Sequence, residues 1–168
     1  EAPSFTRTRS LYRYEGGVRE AIHALKYRGD FSVIPDLSRI LLAGLRTYME
    51  DVEHLVLVPV PLHRKRKLHR EFNQGEELIR GMRKLDGTLR VWTGVKRVKN
   101  TDTQTRLSKA GRKANVRNAF QVKRGGSLPE RVVLVDDVMT TGATLDACAK
   151  ALKKAGVQEV NALTLARG

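Results

Sequence analysis

The stretch Val132–Thr144 constrains the fold more than any other part of the chain, because its character changes three times. It begins with an apolar run rich in β-branched valine, which predicts a strand buried on both faces of a parallel sheet. Two adjacent carboxylates, Asp136 and Asp137, come next, and a short turn rich in hydroxyl groups and glycine follows them. The segment Leu145–Ala155 is rich in Ala, Leu and Lys and predicts a helix, which Gly156 ends.

The turn after the two carboxylates is predicted to bind an anion. A helix N-terminus presents unpaired N–H groups and the positive end of a dipole. Glycine in such a turn lets the backbone approach an anion closely, and threonine hydroxyls add donors. The predicted anion site comprises Thr140, Thr141, Gly142, Ala143 and Thr144.

The carboxylates would repel that anion, so they are predicted to bind another part of the ligand. Vicinal hydroxyls of a sugar suit them, because each hydroxyl can donate a hydrogen bond to an ionised acid. Successive side chains of a strand point in opposite directions, so both acids face one ligand only if the strand ends by Asp136. The pattern predicts a ribose 5-phosphate, with its ribose at Asp136 and Asp137 and its phosphate at the turn. An ordinary strand–turn–helix unit with an Asp and Thr cap is the alternative.

Length and composition favour one globular domain, residues 1–168, with an N-terminal strand and helices in 1–50 and a core sheet in 51–168. Hydrophobic residues make up 40% of the chain and charged residues 30%, which excludes a disordered protein. No apolar run approaches the length of a membrane span, so no membrane insertion is predicted. The single cysteine, Cys148, excludes an internal disulfide framework and favours a reducing compartment, which predicts a cytoplasmic location. Burial in the core is its predicted role.

The formal net charge is +14, from 32 Lys and Arg against 18 Asp and Glu. A polyphosphate ligand needs local positive potential, and a nucleic-acid surface needs a broader one. A generally basic surface without a specific ligand is the alternative.

Hydrophobic periodicity predicts an alternation of strands and helices. The predicted strands are Arg9–Tyr14, His54–Val60, Val91–Val98, Ala119–Val122, Arg131–Val135 and Glu159–Ala166. The predicted helices are Val18–Tyr27, Phe31–Met49, a helix capped by Asn73 that runs to about Leu85, and Leu145–Ala155. This order is typical of an α/β fold with an open, mostly parallel twisted sheet flanked by helices.

A second candidate loop follows the strand His54–Val60. Prolines make it a stiff turn that cannot continue a strand ladder, and a run of cations comes directly after it. Ligands of open α/β sheets bind outside the carboxyl ends of strands, which predicts a pyrophosphate site here. Its predicted residues are Val60, Pro61, Leu62, Arg64 and Arg70. A solvated basic helix or a basic targeting tract is the alternative.

The segment from Lys96 to Arg117 holds eight cations against one acid, Asp102. Within this segment Asn100–Lys113 is polar and predicts a long loop, which in a compact domain is usually a functional lid or disordered. As a lid, it would close on a pyrophosphate through Arg106 and Lys109. Together with the cations at 64–67, this segment is also predicted to form a basic face that binds single-stranded DNA weakly and without sequence preference, since aromatic residues are scarce.

The order of apolar run, Asp136-Asp137, two residues and Thr140-Thr141-Gly142-Ala143-Thr144 closely resembles the signature of type I phosphoribosyltransferases. These proteins bind phosphoribosyl pyrophosphate. The resemblance implies that the acids bind the ribose hydroxyls and that the following turn binds the 5-phosphate. It also implies Mg²⁺ held mainly by the ligand, with no direct protein ligand and no zinc.

Further stretches resemble the ComF family of competence proteins over nearly the whole chain. They are Leu25–Asp30, Val58–His63, Arg70–Gln74 and Asn115–Phe120. The resemblance implies a cytoplasmic bacterial protein needed for uptake of transforming DNA, beside a competence helicase and DNA-processing proteins. Members of this family usually begin with a four-cysteine zinc ribbon, and no such site can form within this chain because it has one cysteine.

Two functions remain open at this point. The first is an enzyme that transfers a phosphoribosyl group to an acceptor that the sequence does not identify. The second is a non-catalytic sensor of phosphoribosyl pyrophosphate or a nucleotide, which meets DNA or a protein partner through its basic face. An oligomer is compatible with either function.

Overall fold

The structure is a computed structural model, and it describes residues 3–62, 72–99, 116, 118–123 and 125–168. The strands in these ranges are β1 (Arg7–Arg13), β2 (Val56–Pro59), β3 (Arg90–Val91), β4 (Val95–Arg97), β5 (Phe120–Val122), β6 (Arg131–Met139) and β7 (Glu159–Arg167). The α-helices are α1 (Gly16–Arg28), α2 (Ile34–Tyr48), α3 (Gln74–Leu85) and α4 (Ala143–Ala155). Short 3₁₀ turns lie at Phe31–Val33 and Val52–His54.

Five strands form one sheet in the order β1-β7-β6-β2-β3, and every pair in it is parallel. The central strands β6 and β7 are nine residues each and mostly buried, as the valine-rich run predicted. The prediction of an α/β fold with a parallel sheet flanked by helices is therefore confirmed. β1 gives this sheet an edge strand from the N-terminal part of the chain, and β4 and β5 form a separate antiparallel pair.

The main sheet separates two apolar layers, and β6 contributes to both. Val133 and Val135 pack with α1, α2 and α3 on one side. Val132 and Leu134 pack with α4 and the β4–β5 pair on the other side. Side chains alternate along residues 132–135, as expected of a strand, and the order changes at the end of β6, where Val138 packs in the α1 layer and Met139 in the α4 layer.

Local sequence signals predict the start of α3 and the end of α4 correctly. The Asn73 side chain accepts hydrogen bonds from the N–H groups of Gly75 and Glu76 and caps α3, as predicted. α4 ends at Gly156, whose φ of 113° lies in the left-handed region that glycine tolerates.

One predicted strand, Val91–Val98, is wrong as a single element. It is divided between β3, which pairs with β2 in the main sheet, and β4, which pairs with β5. The chain turns between them at Gly94, where a Cβ atom would overlap the ring of Trp92. A continuous β-rich sequence hides this turn because only tertiary pairing separates the two halves.

Candidate functional site

The carboxyl end of β6 projects beyond its neighbour β2. The two strands pair as far as Pro59 and Val135, and the Val60 N–H then donates to the Val135 carbonyl at 3.1 Å. β6 continues to Met139 and stays paired with β7. Ligands of open α/β sheets bind outside the carboxyl ends of the strands, so the crevice in which a ligand is expected lies beside Asp136 and the residues after it.

The longer strand changes the expected arrangement of the two acids. β6 was predicted to end at Val135, and the prediction that both acids face one ligand required an end by Asp136. The ladder instead includes the pair Asp136–Thr164 and runs on past Asp137. The strand prediction is wrong at this end, and Asp136 and Asp137 lie on opposite faces of the sheet.

Asp137 faces α1 and is 2% exposed. Its Oδ2 lies 2.9 Å from the Nζ of Lys26, in the last turn of α1, and its Oδ1 accepts a hydrogen bond from the Val138 N–H at 2.7 Å. A carboxylate buried to this degree is costly unless a cation or donors compensate it. Lys26 therefore makes the burial of Asp137 possible.

Asp136 faces the α4 layer and keeps part of its surface accessible. Its Oδ1 accepts a hydrogen bond from the Asp137 N–H at 2.9 Å. Burial raises the pKa of Asp136 to about 7, the charge of Asp137 adds to this increase, and the Lys26 ammonium opposes it. Near neutral pH this carboxyl can therefore exist in either protonation state.

The predicted burial of Cys148 is confirmed, since the side chain is 0% exposed on α4. Burial and, to a smaller degree, the negative charge of Asp136 raise the pKa of the thiol. The neutral thiol is poorly nucleophilic, so a structural role is favoured over a catalytic one.

The turn between β6 and α4 has the local geometry that the sequence predicted. Gly142 has a φ of 76°, and α4 begins at the next residue, Ala143. The Ala143 N–H donates to the Thr141 hydroxyl at 3.4 Å. The helix N-terminus therefore lies directly after the projecting end of β6. Binding of a 5-phosphate by Thr140–Thr144 stays a prediction.

The predicted pyrophosphate loop is described only in part. Val60 is buried, and its carbonyl accepts a hydrogen bond from the Asn73 side-chain amide at 3.0 Å. Asn73 thereby ties the loop to the start of α3, a role that its position in sequence did not reveal. Arg64, Arg70, Arg106 and Lys109 lie outside the described residues, so their predicted roles stay predictions.

A cavity of about 1120 Å³ lies between α3 and the β3–β4 segment, and one end of it meets Pro61 and Leu62. We call it the α3 groove. Among the described residues, one acid, Glu76, lines it together with the cations Arg80, Arg83, Lys84, Lys96, Arg97 and Lys123. Neither the two carboxylates nor the Thr140–Thr144 turn lines it, so it is distinct from the predicted ribose 5-phosphate site.

No group of three or more His, Cys, Asp or Glu side chains that could hold a metal ion occurs in the part of the chain that the structure describes. Within the same residues, every helix is too short or too polar to cross a membrane.

Comparison with known proteins decides the family. A model of the phosphoribosyl transferase domain matches residues 77–168, which include both acids and the turn. Competence protein F of Haemophilus influenzae is 33% identical over 99% of this chain and 75% of its own length. The chain belongs to the ComF family of phosphoribosyl transferase domain proteins.

Other ComF family members extend this match. Competence protein ComFC of Bacillus subtilis is 30% identical over 96% of this chain and 64% of its own length, so the chain spans less than two thirds of that relative. DNA utilization protein YhgH of Escherichia coli is 31% identical over 98% of this chain and 74% of its own length. Among solved structures, a purine phosphoribosyltransferase from Pyrococcus horikoshii matches 80% of this chain and 72% of its own, with 19% identity and a TM-score of 0.47.

Sequence reasoning on this ComF family protein missed two sets of residues. Lys26 lies in a stretch that supported the family resemblance, but no role followed from its position because its contact with Asp137 is long-range. Sequence reasoning also assigned no role to the cations of α3. Their spacing, Arg80, Arg83 and Lys84, follows the helical period and is a signal that they share one face.

Proposed function

We propose that this ComF family protein binds phosphoribosyl pyrophosphate in the crevice beside β6 and transfers its phosphoribosyl group to an acceptor. The observation that carries the proposal is the junction of β6 and α4. A carboxylate at the open edge of a projecting parallel strand is followed at once by a glycine turn with a φ of 76° and a helix N-terminus. This arrangement offers an acceptor for sugar hydroxyls beside donors for a phosphate.

In the proposed complex, Asp136 accepts hydrogen bonds from the ribose hydroxyls and the Thr140–Thr144 turn binds the 5-phosphate. The loop at Val60–Leu62 lies toward the pyrophosphate. As pyrophosphate leaves, positive charge develops on the ribose and negative charge on the leaving group. A carboxylate near the ribose and cations near the pyrophosphate would both stabilise this transition state.

The donor set fits magnesium that arrives with the substrate. Mg²⁺ in phosphate sites is held by one or two carboxylates together with substrate oxygens and water. In this site Asp136 is the accessible carboxylate, and it would contact the ion through bound water. When bound, the ion would neutralise part of the pyrophosphate charge.

The cellular role that we propose is competence-linked uptake of DNA. The relatives named competence proteins cover nearly all of this chain, and other relatives are named for DNA utilization. We propose in addition that the protein acts in the cytoplasm, beside a helicase and other proteins that process incoming DNA.

Release of pyrophosphate tests the enzymatic proposal. The protein is incubated with phosphoribosyl pyrophosphate, Mg²⁺ and a panel of acceptor classes, and calorimetry measures substrate affinity in parallel. We expect binding that requires Mg²⁺, acceptor-dependent release of pyrophosphate, and loss of both in Asp136→Asn. Absence of binding by the folded protein at millimolar substrate would refute the proposal.

A second candidate, a non-catalytic binder of single-stranded DNA, is favoured by the α3 groove. Of the described residues that line this groove, six are cations and one is an acid, and the apolar ones include Ile79 and Val95. Such a surface attracts a phosphate backbone. No aromatic side chain occurs among the described lining residues, so these residues offer no base-stacking platform. Binding of single-stranded DNA without acceptor-dependent release of pyrophosphate would favour this function.

The groove is tested by titration of labelled single-stranded DNA at several salt concentrations. The variant Arg83→Glu/Lys84→Glu is compared with Arg19→Glu/Lys154→Glu, which makes the same change of charge at residues that do not line the groove. We expect a weaker affinity and a shallower salt dependence for the groove variant alone. Equal losses of DNA affinity in both variants would indicate an effect of net charge. That result would contradict specific binding of DNA in the α3 groove.

A further inference from the structure

The last turn of α1 reaches the candidate site from the other side of the sheet. Lys26 belongs to the stretch Leu25–Asp30, and its ammonium lies 2.9 Å from Asp137 Oδ2. Both side chains are largely withdrawn from water, with 18% of Lys26 and 3% of Asp137 exposed. This is a buried pair across two elements, which differs from the exposed pairs that contribute little to a fold.

The pair makes the two neighbouring carboxylates unequal. Asp137 faces the α1 layer, is covered by protein and has a cation against it, whereas Asp136 faces the α4 layer and is partly accessible. Turning Asp137 toward the crevice would break its contact with Lys26. It would also leave an ammonium buried without that carboxylate, which is costly.

We propose that Lys26 is a positioning residue that retains Asp137 on the α1 side of β6, so that Asp136 alone of the two carboxylates meets the ribose of the ligand. This inference rests on the proposed binding of phosphoribosyl pyrophosphate. It assigns unequal roles to two acids that the sequence motif presents as equivalent.

Lys26 has an electrostatic effect on ligand binding as well. The ligand carries several negative charges, so two ionised carboxylates beside it would oppose binding. The Lys26 ammonium offsets the charge of Asp137, and Asp136 remains able to accept hydrogen bonds from the ribose hydroxyls.

In the part of the chain that the structure describes, two groups shift the pKa of Asp136 and two more lie near its side of β6. Asp137 and Lys26 act on it through β6 and from α1, while Cys148 lies near it on α4 and Arg97 reaches the same neighbourhood from β4. A change at Lys26 leaves the two groups on the α4 side in place. The effect of Lys26 can therefore be measured separately from theirs.

The decisive experiment compares Lys26→Met with the double variant Lys26→Met/Asp137→Asn, using calorimetric titration with phosphoribosyl pyrophosphate and Mg²⁺. We expect Lys26→Met to weaken binding about tenfold or more, because Asp137 is then an uncompensated charge. The double variant removes that charge and should recover to within about threefold of the wild type. Lys26→Arg should retain binding.

Two outcomes would overturn the inference. If the folded double variant binds no better than Lys26→Met, Asp137 is itself needed by the ligand. If Lys26→Met binds as well as the wild type, the lysine positions nothing. Circular dichroism and thermal unfolding establish that each variant is folded before its affinity is interpreted.

A readout without substrate separates this inference from the proposed function. In protein labelled at the aspartate carboxyl carbons, the NMR titration of Asp136 should move to higher pH in Lys26→Met, because the ammonium lowers the pKa of Asp136. The double variant should reverse this change. An unmoved titration would overturn the electrostatic role of Lys26. Absence of substrate binding by the wild type would instead refute the proposed function, and with it the assignment of Asp136 to the ribose.

Discussion

On the α1 side of β6, Asp137 lies against a lysine and away from water, whereas on the α4 side Asp136 remains partly accessible near a neutral buried thiol. The two residues have the same side chain and adjacent positions. Their difference comes from strand alternation, which directs each carboxylate into the layer of a different helix. A sequence motif of two acids therefore specifies two environments, and the two remain coupled because the charge of Asp137 raises the pKa of Asp136.

The largest expected effect is the loss of the cation on the α1 side. Lys26→Met leaves Asp137 buried without its counter-ion and should lower the free energy of unfolding by about 3–5 kcal/mol, as measured by urea denaturation. Arg39→Met serves as the control, because its ion pair with Asp36 is exposed and should contribute about 0.5 kcal/mol or less. Similar losses of unfolding free energy in the two variants would show that the buried Lys26–Asp137 pair contributes no more to stability than an exposed pair.

The pH dependence of stability should reflect the protonation of Asp136 on the α4 side. The folded-state pKa of Asp136 is raised from 3.8 to about 7, so the folded state binds the proton more tightly than the unfolded state. This contribution to stability is fully present below pH 3.8 and is lost as the pH rises to about 7. We expect Asp136→Asn to remove this decline, which chemical denaturation at a series of pH values would measure. A wild type and variant with parallel profiles would contradict the raised pKa.

A smaller effect is expected at the thiol on the same side. Cys148→Ser places a hydroxyl in an apolar layer and should destabilise the protein by about 1–3 kcal/mol. Cys148→Ala is the matched control that removes the sulfur without adding a polar group. If the serine variant is as stable as the alanine variant, this layer is more polar than the packing indicates.

The smallest predicted effect lies where β6 meets α4. Gly142→Ala should cost about 1 kcal/mol in thermal unfolding, because alanine is strained at a φ of 76°. Gly17→Ala, in the first turn of α1 and with open space around its Cβ position, should be neutral or slightly stabilising. If Gly17→Ala destabilised the protein more than Gly142→Ala, the result would contradict the geometry of the turn.

Local signals explain how much of this site was predictable. The valine run, the glycine at the turn and the alanine-rich helix are each interpretable within a few residues, so the strand–turn–helix unit was predicted nearly correctly. The extent of β6 was not, because carboxylates are unfavourable strand residues and only the ladder with Thr164 on β7 keeps Asp136 in the strand. The contact of Lys26 with Asp137 depends on packing between distant elements, which no local pattern encodes.

The pairing of β1 with β7 has a consequence for the way this protein is made. β1 leaves the ribosome well before its partner in the main sheet, β7, because the two strands lie far apart in the sequence. Pairing between such distant segments is slow and leaves strand edges exposed in the meantime. β1 therefore remains without its partner strand until β7 has been synthesised. A nascent chain stalled before β7 should be prone to aggregation and to capture by chaperones, even though its helices can already form.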